Sequence, residues 1–216
     1  TVARVLLEHA PPYTTLCRTI FSAQSSAVEH KRIVNVYADQ LVKQSFPNKP
    51  GEQVFHGINT KLITKEDWNF ARKRYNVRGN EKLVGVKLGS SSGYMAKLIQ
   101  VIDILKKKGN KYKFVIHTTP ALKQTLKDKV SRNLLGKYVI VDEARVFPYG
   151  AFDLVVDFSN EQMLSLNLIR VLCHKVPLLA LSSPGNRTYL GDVNGVILFN
   201  SSDKPNSIAS YVDVAM

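Results

Sequence analysis

Cysteine is scarce in this sequence, and long apolar runs are missing from it. Two cysteines, Cys17 and Cys173, among 216 residues are too few for a disulfide scaffold and are typical of a reducing compartment. No apolar run approaches the ~20 residues that a membrane-spanning helix needs. The first residues also lack the basic, apolar and small-residue regions of a signal peptide. These features predict a cytoplasmic protein.

Motifs of several enzyme classes are absent as well. The sequence has no Cys/His spacing of a zinc site, no G-x-S-x-G or HExxH motif, and neither a Walker A loop nor a GxGxxG fingerprint. Asp142 and Glu143 are adjacent, so in an extended segment they point to opposite sides. We interpret them as a solvated turn rather than an acid–base pair. The sequence thus predicts no metal and no cofactor.

Acidic residues are few compared with basic ones. The 17 Asp and Glu stand against 30 Lys and Arg, for a net charge of +13. A fold does not require this excess, which therefore points to nucleic acid, an anionic membrane surface or a phosphate-bearing ligand as partner. Lys and Arg mix with Tyr at 72–75 and 106–113, as nucleic-acid binding would use. Arg72, Lys73 and Arg74 are expected on the exposed side of the predicted helix 67–75. A basic surface without a specific partner is the alternative.

Apolar runs alternate with amphipathic segments along most of the chain, and the stretch 152–200 shows this order most clearly. We predict strands at 32–37, 83–88, 113–117, 137–141, 154–156, 176–181 and 196–199, helices at 38–45, 67–75, 94–107, 120–130, 163–172 and 208–214, and a polar loop at 182–188. This alternation predicts an α/β fold, a Rossmann-like parallel sheet with helices on both faces. The turn-rich segment 46–51 predicts a boundary between an appendage, 1–50, and a main domain, 51–216.

Two loops of this predicted sheet are suited to an anion. The Gly- and Ser-rich loop 89–93 precedes a helix, whose first backbone N–H groups can bind a phosphate. The loop 157–165 follows a buried strand, and ligands of such sheets bind outside the carboxyl ends of the strands.

The spacing of polar residues in the second half resembles a known family. The spacing is that of four residues, Ser159, Gln162, Arg170 and Pro177. In addition, the pair Asn194-Gly195 directly precedes the apolar run 196–199. The pattern resembles the C-terminal half of retaining glycosyltransferases of the two-domain GT-B type (glycosyl transferases group 1). The family has glutamates at the positions of Gln162 and Arg170. The segment His56-Gly57-Ile58-Asn59 is similar to the family's interdomain linker.

The resemblance implies a binding site for a nucleotide-sugar donor. Lys87-Leu88 stands for an Arg-Leu pair, and Ser92-Gly93 for a Lys-Gly pair, of which the Arg and Lys clamp the donor's diphosphate. The loop at Thr118 lies beside the nucleotide in the family. Backbone N–H groups at the start of the helix hold the sugar and phosphates there, which implies that role for Met163, Leu164, Ser165 and Leu166.

The two substituted glutamates bear on catalysis. In the family the first lies near the donor sugar and the second accepts from the ribose hydroxyls. The Gln162 amide can still hydrogen-bond a sugar hydroxyl, whereas Arg170 has donors only and could instead contact a phosphate. The catalytic residues therefore stay unassigned. His117 is interpreted as structural rather than as a nucleotide contact.

The resemblance covers residues 32–212, about half of a complete enzyme of this type. Residues 1–50 are then the remnant of an N-terminal Rossmann-like domain, and a partner subunit is expected to supply such a domain. Three functions follow: a glycosyltransferase-like protein, with an anionic membrane surface or a lipid-phosphate acceptor as further partner; a degenerate relative that binds a partner or glycan; and a basic nucleic-acid-binding domain. The first is our prediction, in the cytoplasm and peripheral to a membrane.

Overall fold

The chain divides into two compact units, Thr1–Gly57 and Ile58–Met216. The structure, a computed structural model, describes residues 35–37, 51–53, 68–89, 92–109, 111–142, 147–160 and 165–216. In the first unit, the strands β1 (Asn35–Tyr37) and β2 (Gly51–Gln53) pair in parallel. The predicted helix 38–45 and the linker-like segment 56–59 lie outside the described residues. The predicted domain boundary and the origin of residues 1–50 stay predictions.

The second unit is built on one parallel sheet, as the described residues show it. Its six strands lie in the order β5-β4-β3-β6-β7-β8, and each neighbouring pair is parallel. The strands are β3 (Lys82–Lys87), β4 (Tyr112–His117), β5 (Val139–Asp142), β6 (Leu154–Asp157), β7 (Leu178–Leu181) and β8 (Val196–Phe199). The predicted Rossmann-like parallel sheet is confirmed. The predicted strands differ from the observed ones only at their ends.

Helices cover both faces of this sheet. They are α1 (Trp68–Arg74), α2 (Met95–Lys107), α3 (Pro120–Lys129), α4 (Leu166–Cys173), α5 (Pro184–Leu190) and α6 (Pro205–Ala215). Because successive strand residues point to opposite faces, Val84 and Val86 join a core with α2, α3 and α6. Leu83 joins a second core with α1, α4 and α5. Burial on both faces accounts for strands that are apolar throughout.

The predicted loop 182–188 is wrong, because α5 occupies most of it. Pro184 is the first residue of α5, where a missing N–H costs nothing. The Ser183 hydroxyl caps the helix by accepting from Asn186 N at 3.2 Å. The Asn186 side chain donates to Leu181 O at 2.8 Å. The polar residues that predict a loop therefore belong to a short helix, which Ser183 caps and Asn186 anchors to Leu181.

Two charged residues predicted to face solvent are instead partly or fully buried. Arg72, expected on the exposed side of its helix, donates to Glu81 O at 2.6 Å and pairs with Asp153 at 3.4 Å. Asp142, expected in a solvated turn, is 7% exposed and accepts from the Tyr75 hydroxyl and from Arg74 Nη2. Both predictions are wrong because the side-chain partners, Asp153 for Arg72 and Tyr75 and Arg74 for Asp142, lie 67 residues or more away along the chain. These partners offset the cost of burying the charges.

A hydrogen bond between β4 and α6 leads to a prediction about the stability of the fold. Tyr112 donates to Asp213 Oδ1 at 3.1 Å, and burial, followed by this hydrogen bond, raises the pKa of Tyr112 to about 12. The unfolded value is about 10, so this contribution is present below pH ~10 and is lost as the pH rises through ~12. We expect Tyr112→Phe to lower the free energy of unfolding by about 1 kcal/mol at neutral pH. The difference from wild type should shrink above pH ~10 in urea unfolding; a constant difference would contradict the assignment.

Candidate functional site

The sheet has one point among its described strands at which the direction of chain progression reverses. From β3 the chain adds β4 and β5 on one side, then returns to add β6 on the other. The carboxyl ends of β3 and β6 therefore border a crevice at a topological switch point, where ligands of such sheets bind. In the register, Lys87 at the end of β3 pairs with His117 of β4 and with Asp157 of β6. We call this the switch crevice.

Lys87 and Ser165 meet at this crevice, although 78 residues separate them. Lys87 Nζ donates to Ser165 Oγ at 3.3 Å. Ser165 is the N-cap residue of α4, and its side chain makes no capping bond. The first N–H groups of a helix have no partner within the helix. A cation and a helix start with open N–H groups thus lie side by side, a combination suited to an anion.

Gly89 lets the loops after β3 and β6 approach each other closely. A Cβ added at Gly89 would lie 3.3 Å from Ser159 Cα and 3.4 Å from Ser159 Oγ. Such contacts are tight, so any larger side chain would push the two loops apart. Glycine at this position keeps the switch crevice narrow and its backbone accessible.

Two hydroxyls at the carboxyl edge of the sheet are buried without a partner. Ser159 is 3% exposed, and neither its Oγ nor Thr118 Oγ1 has a hydrogen-bond partner in the part of the chain that is described. A buried hydroxyl without a partner costs about 1–3 kcal/mol. Thr118 directly follows β4 and Ser159 follows β6, so both lie at the edge where a ligand would supply the missing bonds.

The loop before α2 contains the predicted Ser92-Gly93 pair. A single 3-10 turn, Ser92–Tyr94, leads into α2, and Gly93 is exposed. Tyr94 is the N-cap residue and makes no side-chain capping bond. The N-terminus of α2 therefore offers backbone donors, as the prediction of a phosphate loop requires. Residues 90 and 91 lie outside the described part of the chain.

The remaining predicted residues divide between the described and the undescribed part. Leu166 begins α4 beside Ser165, and Arg170 is exposed in the last turn of the same helix. Arg170 is five residues from Ser165, more than the 3.6 residues of one helical turn. Gln162, Met163 and Leu164 lie outside the described residues. The site roles of all these positions stay predictions.

The surroundings of His117 agree with its structural interpretation. Its ring lies 5.1 Å from that of Phe147, measured between centroids. Phe147 in turn packs on Tyr149 and Phe152 at 5.2 and 4.7 Å. His117 thus forms one end of an aromatic cluster.

Asp157 is a residue that the sequence did not single out. It is 1% exposed, and its Oδ1 accepts from Ser159 N at 2.7 Å. This bond shapes the turn at the end of β6 and so sets the backbone next to Lys87. The signal for Asp157 in the sequence is an acidic residue at the end of an apolar run, because a buried carboxylate in a strand has specific partners.

Neither a metal centre nor a membrane span is found in what the structure describes. Among these residues, no three His, Cys, Asp or Glu side chains could hold a metal ion together. The described helices include none that is long and apolar enough to cross a membrane.

Comparison with known proteins gives a fold. No protein-family model matches the sequence, and no curated protein matches it significantly. Solved structures, by contrast, do match this chain. The C-terminal domain of a glycosyl transferase group 1 family protein (LpcC) from Francisella tularensis matches with a TM-score of 0.57 and 19% identity, over 73% of this chain and 87% of that one. The fold is that of a GT-B C-terminal domain.

Two longer proteins with a domain of this fold also match the chain. Anabaena HepE in complex with UDP-glucose matches with a TM-score of 0.65 and 17% identity, over 92% of this chain and 57% of that one. WaaG, a glycosyltransferase involved in lipopolysaccharide biosynthesis, matches with a TM-score of 0.60 and 12% identity, over 99% and 62%. The chain thus spans somewhat more than half of the length of these GT-B proteins.

Proposed function

We propose that the chain is the donor-binding part of a glycosyltransferase-like protein, which transfers a sugar from a nucleotide-activated donor to an acceptor. The observation that carries this proposal is the contact of Lys87 with Ser165 at the start of α4. It supports binding of a diphosphate in the switch crevice, since a cation and open helix N–H groups converge there. That HepE was solved in complexes with UDP-glucose and UDP makes these two compounds the natural first ligands.

The chemistry of such a site is mainly electrostatic. As the bond between the sugar and the diphosphate breaks, negative charge grows on the leaving phosphate. In this proposal, Lys87 and the N–H groups at the start of α4 stabilise that charge without reorganising. Ser159 and Thr118 offer hydroxyls to the polar groups of the donor. The acceptor, for which a lipid phosphate fits the net charge of +13, would be bound by a further domain or subunit.

The residues at two positions of the resemblance favour a second candidate, a relative that binds but does not transfer. Arg170 is exposed on α4 where the resembling family has a glutamate, and Ser92 stands where it has a lysine. A protein with these substitutions retains the crevice for a glycan or partner and lacks part of the donor clamp.

Nucleotide binding tests the proposal directly. We expect UDP and UDP-glucose to bind the wild-type chain in isothermal titration calorimetry. Lys87→Ala should raise the Kd by about tenfold or more, since a charge-assisted hydrogen bond is worth about 1.5–3 kcal/mol. Lys107→Ala removes an exposed lysine of α2 and is the matched control, with an expected change below about twofold because remote surface charges are screened.

Two outcomes separate the candidates. Binding of UDP-glucose together with slow release of glucose favours the transferase, and binding without any hydrolysis favours the degenerate relative. If no nucleotide binds at millimolar concentration, or if both variants bind as well as wild type, the donor-site proposal is wrong.

A further inference from the structure

The opposite edge of the sheet carries a second cleft, which the proposed function does not use. It has a volume of about 460 Å³ and is lined by residues that precede β3, β4 and β5 together with the end of α2. Its polar lining consists of Arg78, Asn80, Glu81, Lys106, Lys111 and Tyr138. We call it the amino-edge cleft. At ~3.3 Å per residue, the six residues of β3 separate it from the switch crevice by about 20 Å.

Positive charge prevails in the amino-edge cleft. Arg78, Lys106 and Lys111 contribute three positive charges and Glu81 one negative charge. The C-terminal end of α2 adds about half a negative charge. The cleft therefore carries an excess of roughly +1.5, and Lys137 lies close by, with its Nζ 5.1 Å from the Tyr138 ring centroid. This concentration of charge in a concave site attracts anions.

The cations are held in place rather than spread over the surface. Lys106 Nζ lies 3.1 Å from the centroid of the Tyr138 ring, a cation–π contact that directs it across the cleft. Lys111 Nζ donates to Asn80 Oδ1 at 3.3 Å. Glu81 Oε2 accepts from the backbone N–H of Arg78 at 2.8 Å, which shapes the loop before β3. For the Arg78 guanidinium, the described part of the chain supplies no partner, so its five donors face the cleft or solvent.

Burial also makes a nearby anion favourable. Burial lowers the pKa of Lys106 from its ordinary value, and that of Lys113 as well. An anion bound beside Lys106 would offset this loss of hydration by stabilising the charged ammonium. Lys113 is directed elsewhere, since its Nζ donates to Asn76 O at 2.7 Å.

The volume of the cleft and the hydrogen-bonding groups beside its cations indicate the class of ligand. Pockets of about 300–1,000 Å³ hold small organic molecules, so the cleft has room for a phosphate and the group that carries it. Asn80, Glu81 and Tyr138 offer both acceptors and donors for hydroxyl groups. Gly79 and Gly109, both with positive φ, have open space where a Cβ would stand, which leaves the rim of the cleft uncrowded.

We propose that the amino-edge cleft binds a phosphomonoester of a polyol, with Arg78 and Lys106 on the phosphate and Glu81 and Tyr138 towards the hydroxyls. The phosphate belongs either to a free sugar phosphate or to a lipid headgroup. Because this site lies at the edge opposite the switch crevice, its ligand is neither donor nor acceptor of the proposed transfer. It acts as a second, regulatory or localising ligand.

The experiment uses the full chain and four glycine amides as reporters. Glucose 6-phosphate and inorganic phosphate are titrated and followed by NMR. Gly79 and Gly109 report the amino-edge cleft, and Gly89 and Gly93 the switch crevice. Vesicles of phosphatidylcholine with and without phosphatidylinositol 4-phosphate, whose headgroup carries a phosphomonoester and free hydroxyls, are tested by cosedimentation. The double variant Arg78→Gln/Lys106→Gln is compared with Lys129→Gln/Arg132→Gln, which removes two exposed cations outside the cleft.

We expect saturable shifts of Gly79 and Gly109 with glucose 6-phosphate, and a Kd that rises about tenfold in the cleft variant and changes little in the control. Cosedimentation that needs phosphatidylinositol 4-phosphate and is lost in the cleft variant alone would instead identify the lipid as the source. Equal weakening in both variants would show a general charge effect and overturn the proposal. So would shifts confined to Gly89 and Gly93, which would leave the donor-site proposal intact, or no binding of any probe.

Discussion

Replacing Gly85 by alanine is expected to destabilise the protein by about 3 kcal/mol, the upper end of what overpacking a core costs. Gly85 lies in the middle of β3, and a Cβ there would stand 2.6 Å from Phe152 Cδ2 and 2.8 Å from two further ring atoms. Phe152 is 3% exposed and packs between Tyr75 and Phe147, with ring centroids at 6.4 and 4.7 Å. The ring has no room to withdraw, so β3 itself must shift.

Urea unfolding of Gly85→Ala, Phe152→Leu and the double variant measures this effect. The smaller leucine should make room for the methyl group, so the double variant should lose less stability than the two single variants added together. Since alanine is otherwise favoured over glycine in a strand by roughly 0.5–1 kcal/mol, a neutral or stabilising Gly85→Ala would contradict the packing of β3 on Phe152. Because β3 carries Lys87, UDP binding should weaken in Gly85→Ala and recover in the double variant.

The second large effect is expected from restoring a carboxylate on α4. If the switch crevice binds a nucleotide as proposed, Arg170→Glu should tighten UDP binding by about tenfold or more. A carboxylate that accepts from the ribose hydroxyls is worth about 1.5–3 kcal/mol, and Arg170 has no acceptor to offer in its place. Arg170 is exposed, so the change should leave the free energy of unfolding within about 0.5 kcal/mol of wild type.

Arg170→Gln is the control for this gain. It removes the positive charge and adds an amide, so a gain as large as that of glutamate would show that only the charge of Arg170 opposed binding. Weaker UDP binding in both variants would show that Arg170 contacts a phosphate. In that case the site binds UDP differently from the resembling family, because Arg170 contacts a phosphate where the family's glutamate contacts the ribose. The Kd of the two variants, compared with wild type, measures the size of this difference.

The fold follows from local patterns that the sequence shows directly. Apolar runs such as 83–88 and 154–156 alternate with amphipathic segments such as 94–107, and both features survive in the structure with shifted ends. The periods of 2.0 and 3.6 residues are properties of neighbouring residues. Their order leaves few topologies besides a parallel sheet, because crossovers between parallel strands are right-handed and short.

The errors share a cause. The sequence predicts solvent exposure for Arg72, for Asp142 and for the polar segment at Ser183 and Asn186, because these residue types are polar. In the structure, Arg72 is paired with Asp153, Asp142 with Tyr75 and Arg74, and Asn186 with the backbone of Leu181. The free energy of burying a polar group depends on whether it finds a partner. Except for Leu181, the partner of Asn186, these partners lie 67 residues or more away along the chain.

What the sequence by itself determined is the class of fold and the loops that could serve as a site. The spacing from Ser159 to Pro177 supplied the resemblance, and the family assigned Lys87 and Ser165 to one site. Only the tertiary structure decided that these two side chains touch, that Gly89 meets Ser159, and that Arg78, Lys106 and Lys111 form one cleft. Each of these contacts joins residues from different strand–helix units. Such contacts depend on which strands lie side by side in the sheet. Here β6 lies beside β3 rather than beside β5, and neighbouring residues in the sequence do not encode that order.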